Sequence, residues 1–131
     1  MNNLIINGKD KPIYMPEVIL DAATKECHIK GESFLEEPFK FYTDIREWFD
    51  SYFQSHTDEI TLNFQLTYVN SSSFRAVLDL IKSLKEHQDQ GQALTINWRY
   101  PDDDEGESVL EDGQDFADES GAMINFIEYS A

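Results

Sequence analysis

The sequence has little positive charge and a single cysteine. The 131 residues include 10 Lys and Arg and 26 Asp and Glu, which gives a formal net charge of −16 at pH 7. A field of this sign repels phosphate backbones and anionic lipid headgroups, so we expect neither nucleic acid nor a membrane as a partner. Cys27 has no second cysteine with which to form an internal disulfide, which is typical of a reducing compartment.

Long apolar runs are also missing. No stretch approaches the roughly 20 residues that a membrane-spanning helix needs. The first residues lack the basic segment and apolar stretch of a signal peptide, and we therefore expect a soluble, cytoplasmic protein. Hydrophobic residues make up 40% of the chain and aromatic residues 13%, enough for a core. No linker rich in Gly, Pro or Ser interrupts the chain, so we expect one domain over residues 1–131.

The motifs of common enzyme and metal sites are absent from the sequence. There is no Gly-x-Gly-x-x-Gly, Walker A or Gly-x-Ser-x-Gly run. Cys27 and His28 are neighbours on a predicted strand and point to opposite faces, so they cannot form a nucleophile–base pair. His56 and His87 lie far away in sequence and complete no zinc motif. We expect no catalytic activity, cofactor or metal, with Cys27 buried and His28 at the surface.

An acidic segment dominates the chain after Arg99, the last basic residue. The run Asp102–Gly106 resembles a calcium loop, but placing the glycine sixth puts Pro101 at the first ligand position. We therefore predict an acidic loop over about 101–108 and no calcium site. The acidic third is either a solvated surface or an attractor for a basic protein surface.

The patterns that are present alternate between strands and helices. A hairpin is predicted from residues 18–20 and 26–30, and Thr43 is a fair N-cap for a helix over about 43–54. Ile60, Leu62, Phe64, Leu66 and Tyr68 alternate with polar residues, which predicts a strand with these five on its buried face. A helix ending near Gly91, a strand over 94–100, a helix over 109–119 and a last strand over 123–129 follow.

These elements predict an α/β fold with a mixed β-sheet. A long helix between two strands favours a right-handed crossover and parallel pairing. Strands covered on both faces read as continuous apolar runs, whereas these alternate. We therefore expect a two-layer domain, with helices packed mainly on one face of the sheet and a polar, largely open second face.

The best candidate for a functional site is the junction between the alternating strand and the following helix. It comprises Tyr68, Asn70, Ser71, Ser72, Ser73 and Arg75. Helix N-termini carry unpaired N–H groups and partial positive charge, so a serine there can cap the helix or, when phosphorylated, keep its phosphate at those N–H groups. Both interpretations are open. Arg75, one turn into the helix, is the nearby base that would meet a phosphate.

Aromatic residues are concentrated between the hairpin and the first helix. They are Phe34, Phe39, Phe41 and Tyr42, interspersed with Glu36, Glu37 and Lys40. They either close one end of the core or form, in part, a docking patch beside Ser71.

The segment Leu66–Ala76 resembles the signature of the SiaC family of regulatory phosphoproteins, in which a Tyr-Leu-Asn-Thr-Ser-Ser-type run opens the corresponding helix. Gly31–Phe34 resembles a Gly-Glu-Ser-Tyr-like family motif. Trp48 with its aromatic neighbours and the strand Leu94–Trp98 extend the likeness over about residues 4–129. The family is similar in fold to STAS-type anti-sigma-factor antagonists, so the resemblance implies a STAS-like domain.

The resemblance implies a partner-switching protein in signal transduction. Ser71 falls at the phosphoacceptor position, with Ser72 as the alternative acceptor, and Leu35 replaces a proline of the family motif. A Ser/Thr kinase would phosphorylate the protein and a PP2C-type phosphatase would reverse the modification. The unphosphorylated form would bind and activate a diguanylate cyclase, linking it to cyclic-di-GMP and biofilm formation. We expect a monomer that acts only through such protein partners.

The resemblance to anti-sigma-factor antagonists gives an alternative function. Such a protein would share the fold and the switch but would bind an anti-sigma kinase instead of a cyclase. Asn70 replaces the Asp, and Ser73 the Gly, of the Asp-Ser-Ser-Gly-like motif of that group.

Overall fold

The computed structural model describes residues 1–10 and 14–131, which form six strands and three helices. In those ranges no helix is long and apolar enough to cross a membrane. The elements in chain order are β1 (Leu4–Ile6), β2 (Glu17–Leu20), β3 (Glu26–Ser33), α1 (Pro38–Ser55), β4 (Ile60–Val69), α2 (Ser71–Asp89), β5 (Leu94–Pro101), α3 (Gly106–Ser120) and β6 (Ile124–Tyr129).

The strands form one mixed sheet in sequential order, β1 to β6. β1, β2 and β3 pair antiparallel, which confirms the predicted hairpin, and β3 to β6 pair parallel. Crossovers of one hand in this order carry every connecting helix to the same face of the sheet. α1 packs against α2, and α2 against α3. The predicted α/β fold, with helices on one face of a mixed sheet, is confirmed.

The alternating pattern of the strands sorts side chains between the helix layer and the open face. Ile60, Leu62, Phe64 and Leu66 are buried under the helices. On the open face, asparagines at paired positions form a row across three strands. Asn97 Nδ2 donates to Asn63 Oδ1 at 2.9 Å, and Asn125 Nδ2 donates to Asn97 Oδ1 at 3.1 Å. These side-chain amides hydrogen-bond one another, so the open face is polar without leaving them unpaired.

Cys27 and His28 lie on opposite faces of β3, as predicted. Cys27 is 2% exposed, and burial raises the pKa of its thiol to about 12, so the side chain is an unreactive core group. His28 is half-buried on the open face, with Nε2 2.7 Å from Glu17 Oε2. Across the described ranges, no three His, Cys, Asp or Glu side chains are grouped as metal ligands.

Two helix starts differ from the prediction. α1 begins at Pro38, five residues before Thr43, so Thr43 is inside the helix and the N-cap prediction was wrong. The proline supplies a fixed φ and no N–H, which suits the first helical turn. α3 begins at Gly106, so residues 106–108 of the predicted acidic loop are helical.

Candidate functional site

The two motifs that carry the family resemblance meet at the carboxyl ends of β3 and β4. Ser33, the last residue of β3, pairs with Val69, the last residue of β4. The chain then turns into α2, and Asn70 N donates to Ser33 O at 3.0 Å. Because the two strands are parallel and adjacent, residues 31–35 lie directly beside the start of α2.

Asn70 is the N-cap of α2 and fixes this junction. Its Oδ1 accepts from Ser73 N at 2.9 Å, and its main-chain oxygen accepts from Phe74 N at 2.8 Å. Its Nδ2 donates to Leu35 O at 3.0 Å, tying the cap to the loop after β3. The possibility that a serine caps the helix was wrong, because the amide of Asn70 occupies that role and leaves the three serines inside the first turn.

We expect Asn70→Ala to lower the free energy of unfolding by about 1–2 kcal/mol, the usual loss for an N-cap side chain. The change removes the acceptor for Ser73 N and the donor to Leu35 O together. Urea denaturation followed by circular dichroism measures the effect. Asn7→Ala, at an exposed asparagine, is the control and should change stability by less than about 0.5 kcal/mol. Equal stability of the two variants would contradict the role of Asn70.

The three consecutive serines have different environments. Ser71 is the first residue of α2 and is exposed. Ser72 is half-buried, and its Oγ donates to Leu35 O at 3.0 Å. Ser73 is 0% exposed, and its Oγ accepts from Ser33 Oγ at 2.8 Å. Only the Ser71 hydroxyl is both exposed and unrestrained by a contact to the β3–α1 loop.

A chain of buried hydroxyls lies beneath the serine turn. Tyr42 OH in α1 donates to Ser33 Oγ at 2.8 Å, and Ser33 Oγ donates in turn to Ser73 Oγ. Burial raises the pKa of the Tyr42 phenol well above its usual value, so the group stays a neutral donor. From the sequence, Tyr42 was expected only as one of a group of aromatic residues, and no contact was predicted for Ser33. The long-range pairing that joins them has no local sequence signal.

The start of α2 favours negative charge. The N–H groups of its first residues have no intrahelical partner, and the helix dipole adds partial positive charge. Arg75 lies four residues after Ser71, on the same side of the helix. Its side chain is 73% exposed and its Nε is 4.0 Å from Asp79 Oδ1, a weak surface pair that leaves the guanidinium able to turn towards an anion.

Tyr68 does not lie on the buried face of β4, and that prediction was wrong. Gly31 pairs with Leu66, but the next residue of β3, Glu32, pairs with Tyr68, so Thr67 is an extra residue in β4. Such a bulge reverses the side-chain alternation beyond it. Tyr68 is 46% exposed and stacks on Phe34, with ring centroids 5.9 Å apart. A glycine within a strand is the one sequence signal for the bulge, and Gly31 has a φ of 122°.

The remaining aromatics of the predicted cluster divide between core and surface. Tyr42 is fully buried, whereas Phe39 is half-exposed on the first turn of α1. Leu35 is buried, and its carbonyl accepts from both Asn70 and Ser72. The β3–α1 loop is thus part of the same hydrogen-bonded unit as the serine turn.

The fold matches solved structures of known proteins. The chain is similar to a solved structure of SiaC of Pseudomonas aeruginosa, with 21% identity, full coverage of both chains and a TM-score of 0.81. It also matches a chain in a crystal structure of the diguanylate cyclase SiaD in complex with its activator SiaC, with 21% identity over 96% of this chain and 99% of that one and a TM-score of 0.82.

Sequence comparison agrees with the structural match. An uncharacterized protein of Pseudomonas aeruginosa strain UCBPP-PA14 is 24% identical over 119 residues, which cover 91% of this chain and 90% of that protein. The family model of the SiaC family regulatory phosphoproteins matches residues 7–129. The chain therefore belongs to the SiaC family of regulatory phosphoproteins.

Proposed function

We propose that this protein is a non-catalytic switch. A Ser/Thr kinase phosphorylates it on Ser71, and a PP2C-type phosphatase removes the phosphate. In its unphosphorylated form it binds and activates a diguanylate cyclase, and so raises cyclic-di-GMP. The observation that carries the proposal is the exposed hydroxyl of Ser71 on the first residue of α2, beside two serines whose hydroxyls are engaged.

Accessibility and restraint favour Ser71 over its neighbours as the acceptor. A kinase must align the attacking hydroxyl with the γ-phosphate, which needs a free side chain. Phosphorylation of Ser72 would break its bond to Leu35 O, and phosphorylation of Ser73 would bury a dianion beside Ser33. Ser71 carries neither penalty.

The surroundings of Ser71 suit a phosphate once it is attached. The free N–H groups of the first helical turn are donors for an anion, and Arg75 is one turn away. The modified protein would remain folded, because the phosphate adds favourable contacts at the helix start. The change of about −1.5 to −2 charges then acts on the partner contact and not on the fold.

Family membership and the match to SiaC in its complex with SiaD support the cyclase as the output partner. The likeness in fold covers 96% of this chain and 99% of the SiaC chain. In this proposal the cyclase performs the chemistry, and this chain is the kinase substrate and the activator.

The acceptor is tested by incubating the protein with its kinase and ATP, then mapping the phosphate by mass spectrometry. We expect one phosphate on Ser71, none on Ser71→Ala, and normal labelling of Ser72→Ala, the matched control. Ser72→Ala removes a hydroxyl one residue away and leaves the Asn70 cap in place. If Ser71→Ala is labelled as strongly as the wild type, Ser71 is not the phosphoacceptor. If only Ser72→Ala loses the label, the phosphoacceptor is Ser72.

A further inference from the structure

The sheet ends at β6, and the outer edge of this strand has no neighbouring strand in the part of the chain that the structure describes. β6 pairs with β5 in register along its whole length, from Ile124 to Tyr129, without a bulge. Main-chain N–H and C=O groups along its outer side are therefore unpaired. The opposite edge strand, β1, is only three residues long. A longer, regular edge such as β6 is a template for pairing with a further strand.

Apolar side chains along this edge are exposed. Met123, directly before β6, is 79% exposed, Phe126 37% and Ile127 39%. Side chains alternate along a strand, so Phe126 lies on the helix side of the sheet and Ile127 on the open face. Glu128 is the single charged residue within β6, and neither lysine nor proline blunts the edge. Both faces therefore offer apolar contacts to an added strand.

The row of asparagines on the open face ends at this edge. Asn125 Nδ2 donates inwards to Asn97 Oδ1 at 3.1 Å, and Asn125 itself is exposed. Because the two polar atoms lie on opposite sides of the amide group, Asn125 Oδ1 points away from β5 and can accept from a further donor. A side chain such as Asn, Thr or Lys on an added strand would extend the row by one hydrogen bond. Asn125 thus favours one register for that strand.

Five acidic side chains lie at the two ends of the edge. At the amino end, Glu59 lines a hollow together with Met123 and Asn125. Four more line a second hollow at the carboxyl end, namely Asp102, Asp103, Glu107 and Glu128. A strand that binds along β6 would therefore meet carboxylates at both of its ends.

Two cations near this edge do not balance the acids. Arg99 on β5 has its guanidinium over the Tyr129 ring, 5.4 Å from the centroid. The side chain of Lys85 on α2 reaches Gly121 and pairs with Asp89. The remaining charge at the edge is negative, which favours a strand that carries Lys or Arg. A second copy of this chain, with its own net charge of −16, would bring acids to the same place and is disfavoured.

We propose that the β6 edge is a docking site for an extended segment of another protein, which adds to the sheet as a further strand. The segment has apolar side chains at alternate positions, a hydrogen-bond donor opposite Asn125, and Lys or Arg towards its ends. Main-chain hydrogen bonds supply the affinity in this mode of binding, and side-chain contacts supply the selectivity. The edge is two strands away from β4, so this contact is additional to the serine turn and does not depend on the proposed function.

The probe is a peptide blocked at both ends, Lys-Val-Thr-Val-Asn-Val-Thr-Val-Lys, titrated into the isotope-labelled full chain and followed by NMR. We expect saturable binding, with amide signals shifting mainly in β6 and hydrogen exchange slowing there. Replacing both lysines of the peptide by glutamate should raise the Kd at least about tenfold, because like charges then meet at both ends. Replacing the two central valines by proline should abolish binding, since proline removes main-chain donors.

Variants of the protein locate the contact. Phe126→Ser and Ile127→Ser together should raise the Kd for the lysine peptide at least about tenfold, because they remove the apolar contact on each face. Ile5→Ser is the matched control, since Ile5 is 63% exposed on β1, at the opposite edge of the sheet, and the Kd should not change. If the double variant melts early, the glutamate and proline peptides decide, because they are measured on the wild-type chain.

The proposal is overturned if the wild-type chain shows no saturable binding, or if it binds the lysine and glutamate peptides equally well. Signal changes confined to β1 would assign the contact to the other edge and would also contradict it. Sedimentation of the free wild-type chain as a dimer that the double variant does not form would show that a second copy occupies the edge instead. The measurements involve neither the kinase nor the cyclase, so these outcomes leave the proposed function untouched.

Discussion

Ser71→Glu is expected to weaken cyclase binding at least about tenfold, equivalent to about 1.4 kcal/mol, while the protein stays fully folded. The substitution puts a permanent negative charge on the exposed first residue of α2. The charge must lose water when a partner covers the helix start, and that desolvation weakens binding. Calorimetry and cyclase turnover with saturating activator measure the loss.

The fold should tolerate this charge better than the interface does. A carboxylate in the first turn of a helix interacts favourably with the dipole, by about 0.3–1 kcal/mol. The Asn70 cap and the hydroxyl chain through Ser33 are not touched. The melting temperature should therefore be unchanged or slightly higher. If the melting temperature is lower, a binding defect would be explained by destabilisation of the fold and not by the added charge.

Two variants distinguish charge from position. Ser71→Ala removes the acceptor without adding charge and should bind the cyclase like the unphosphorylated wild type. Ser51→Glu adds the same charge at an exposed site in the second half of α1, towards the other end of the domain, and should also bind normally. If all three variants bind equally well, negative charge at Ser71 does not control the contact.

The architecture followed from sequence because its signals are local and repeated. In β4 and β5, residues alternate strictly between apolar and polar, and the helices carry apolar residues at helical spacing. Sequential βαβ units then leave few arrangements of the sheet. The open polar face was predicted for the same reason, since its asparagines occupy the polar positions of the alternation.

The site was predictable only in part. The exposed serine at a helix start was found from the strand–helix junction and the family signature. The side chain of Tyr68 was assigned to the wrong face because one extra residue in β4 reverses the alternation. The glycine at position 31, which has a positive φ, is the one sequence feature that accompanies this bulge. Ser33 and Ser73 are 40 residues apart, and their hydrogen bond depends on parallel pairing that no local pattern contains. Local rules therefore identified the serine turn at the helix start but not the contacts that define its surroundings.

Gly113 lies where α3 approaches the sheet, and its missing side chain makes that approach possible. A Cβ at this position would be 2.4 Å from Trp98 Cδ1 and 2.6 Å from Trp98 Nε1. Trp98 is 1% exposed and cannot move aside easily, because its Nε1 donates to Val109 O at 2.8 Å and Phe116 packs on its ring. One added methyl group must therefore shift the helix or the indole.

Gly113→Ala is expected to lower the free energy of unfolding by roughly 2 kcal/mol and the melting temperature by about 8 °C. Overpacking and a weakened Trp98–Val109 hydrogen bond outweigh the gain of about 1 kcal/mol that alanine normally brings to a helix interior. Gln114→Ala, at the exposed neighbouring position, is the control and should change stability by less than about 0.5 kcal/mol.

A double-mutant cycle with Trp98→Phe tests the cause of that loss. The smaller ring leaves room for the added methyl group, so Gly113→Ala should cost less in the Trp98→Phe background than in the wild type. An unchanged cost would show that the indole is not what the methyl group meets. α3 is packed at the far side of α2 from α1 and meets the first turns of α2 through Phe116, which stacks on Phe74 with ring centroids 4.3 Å apart. Because the hydroxyl of Ser71 is not part of that contact, the folded fraction of Gly113→Ala should still bind the cyclase with wild-type Kd. Stability and switching would then be separable, with the first set by the α3–β5 contact and the second by the start of α2.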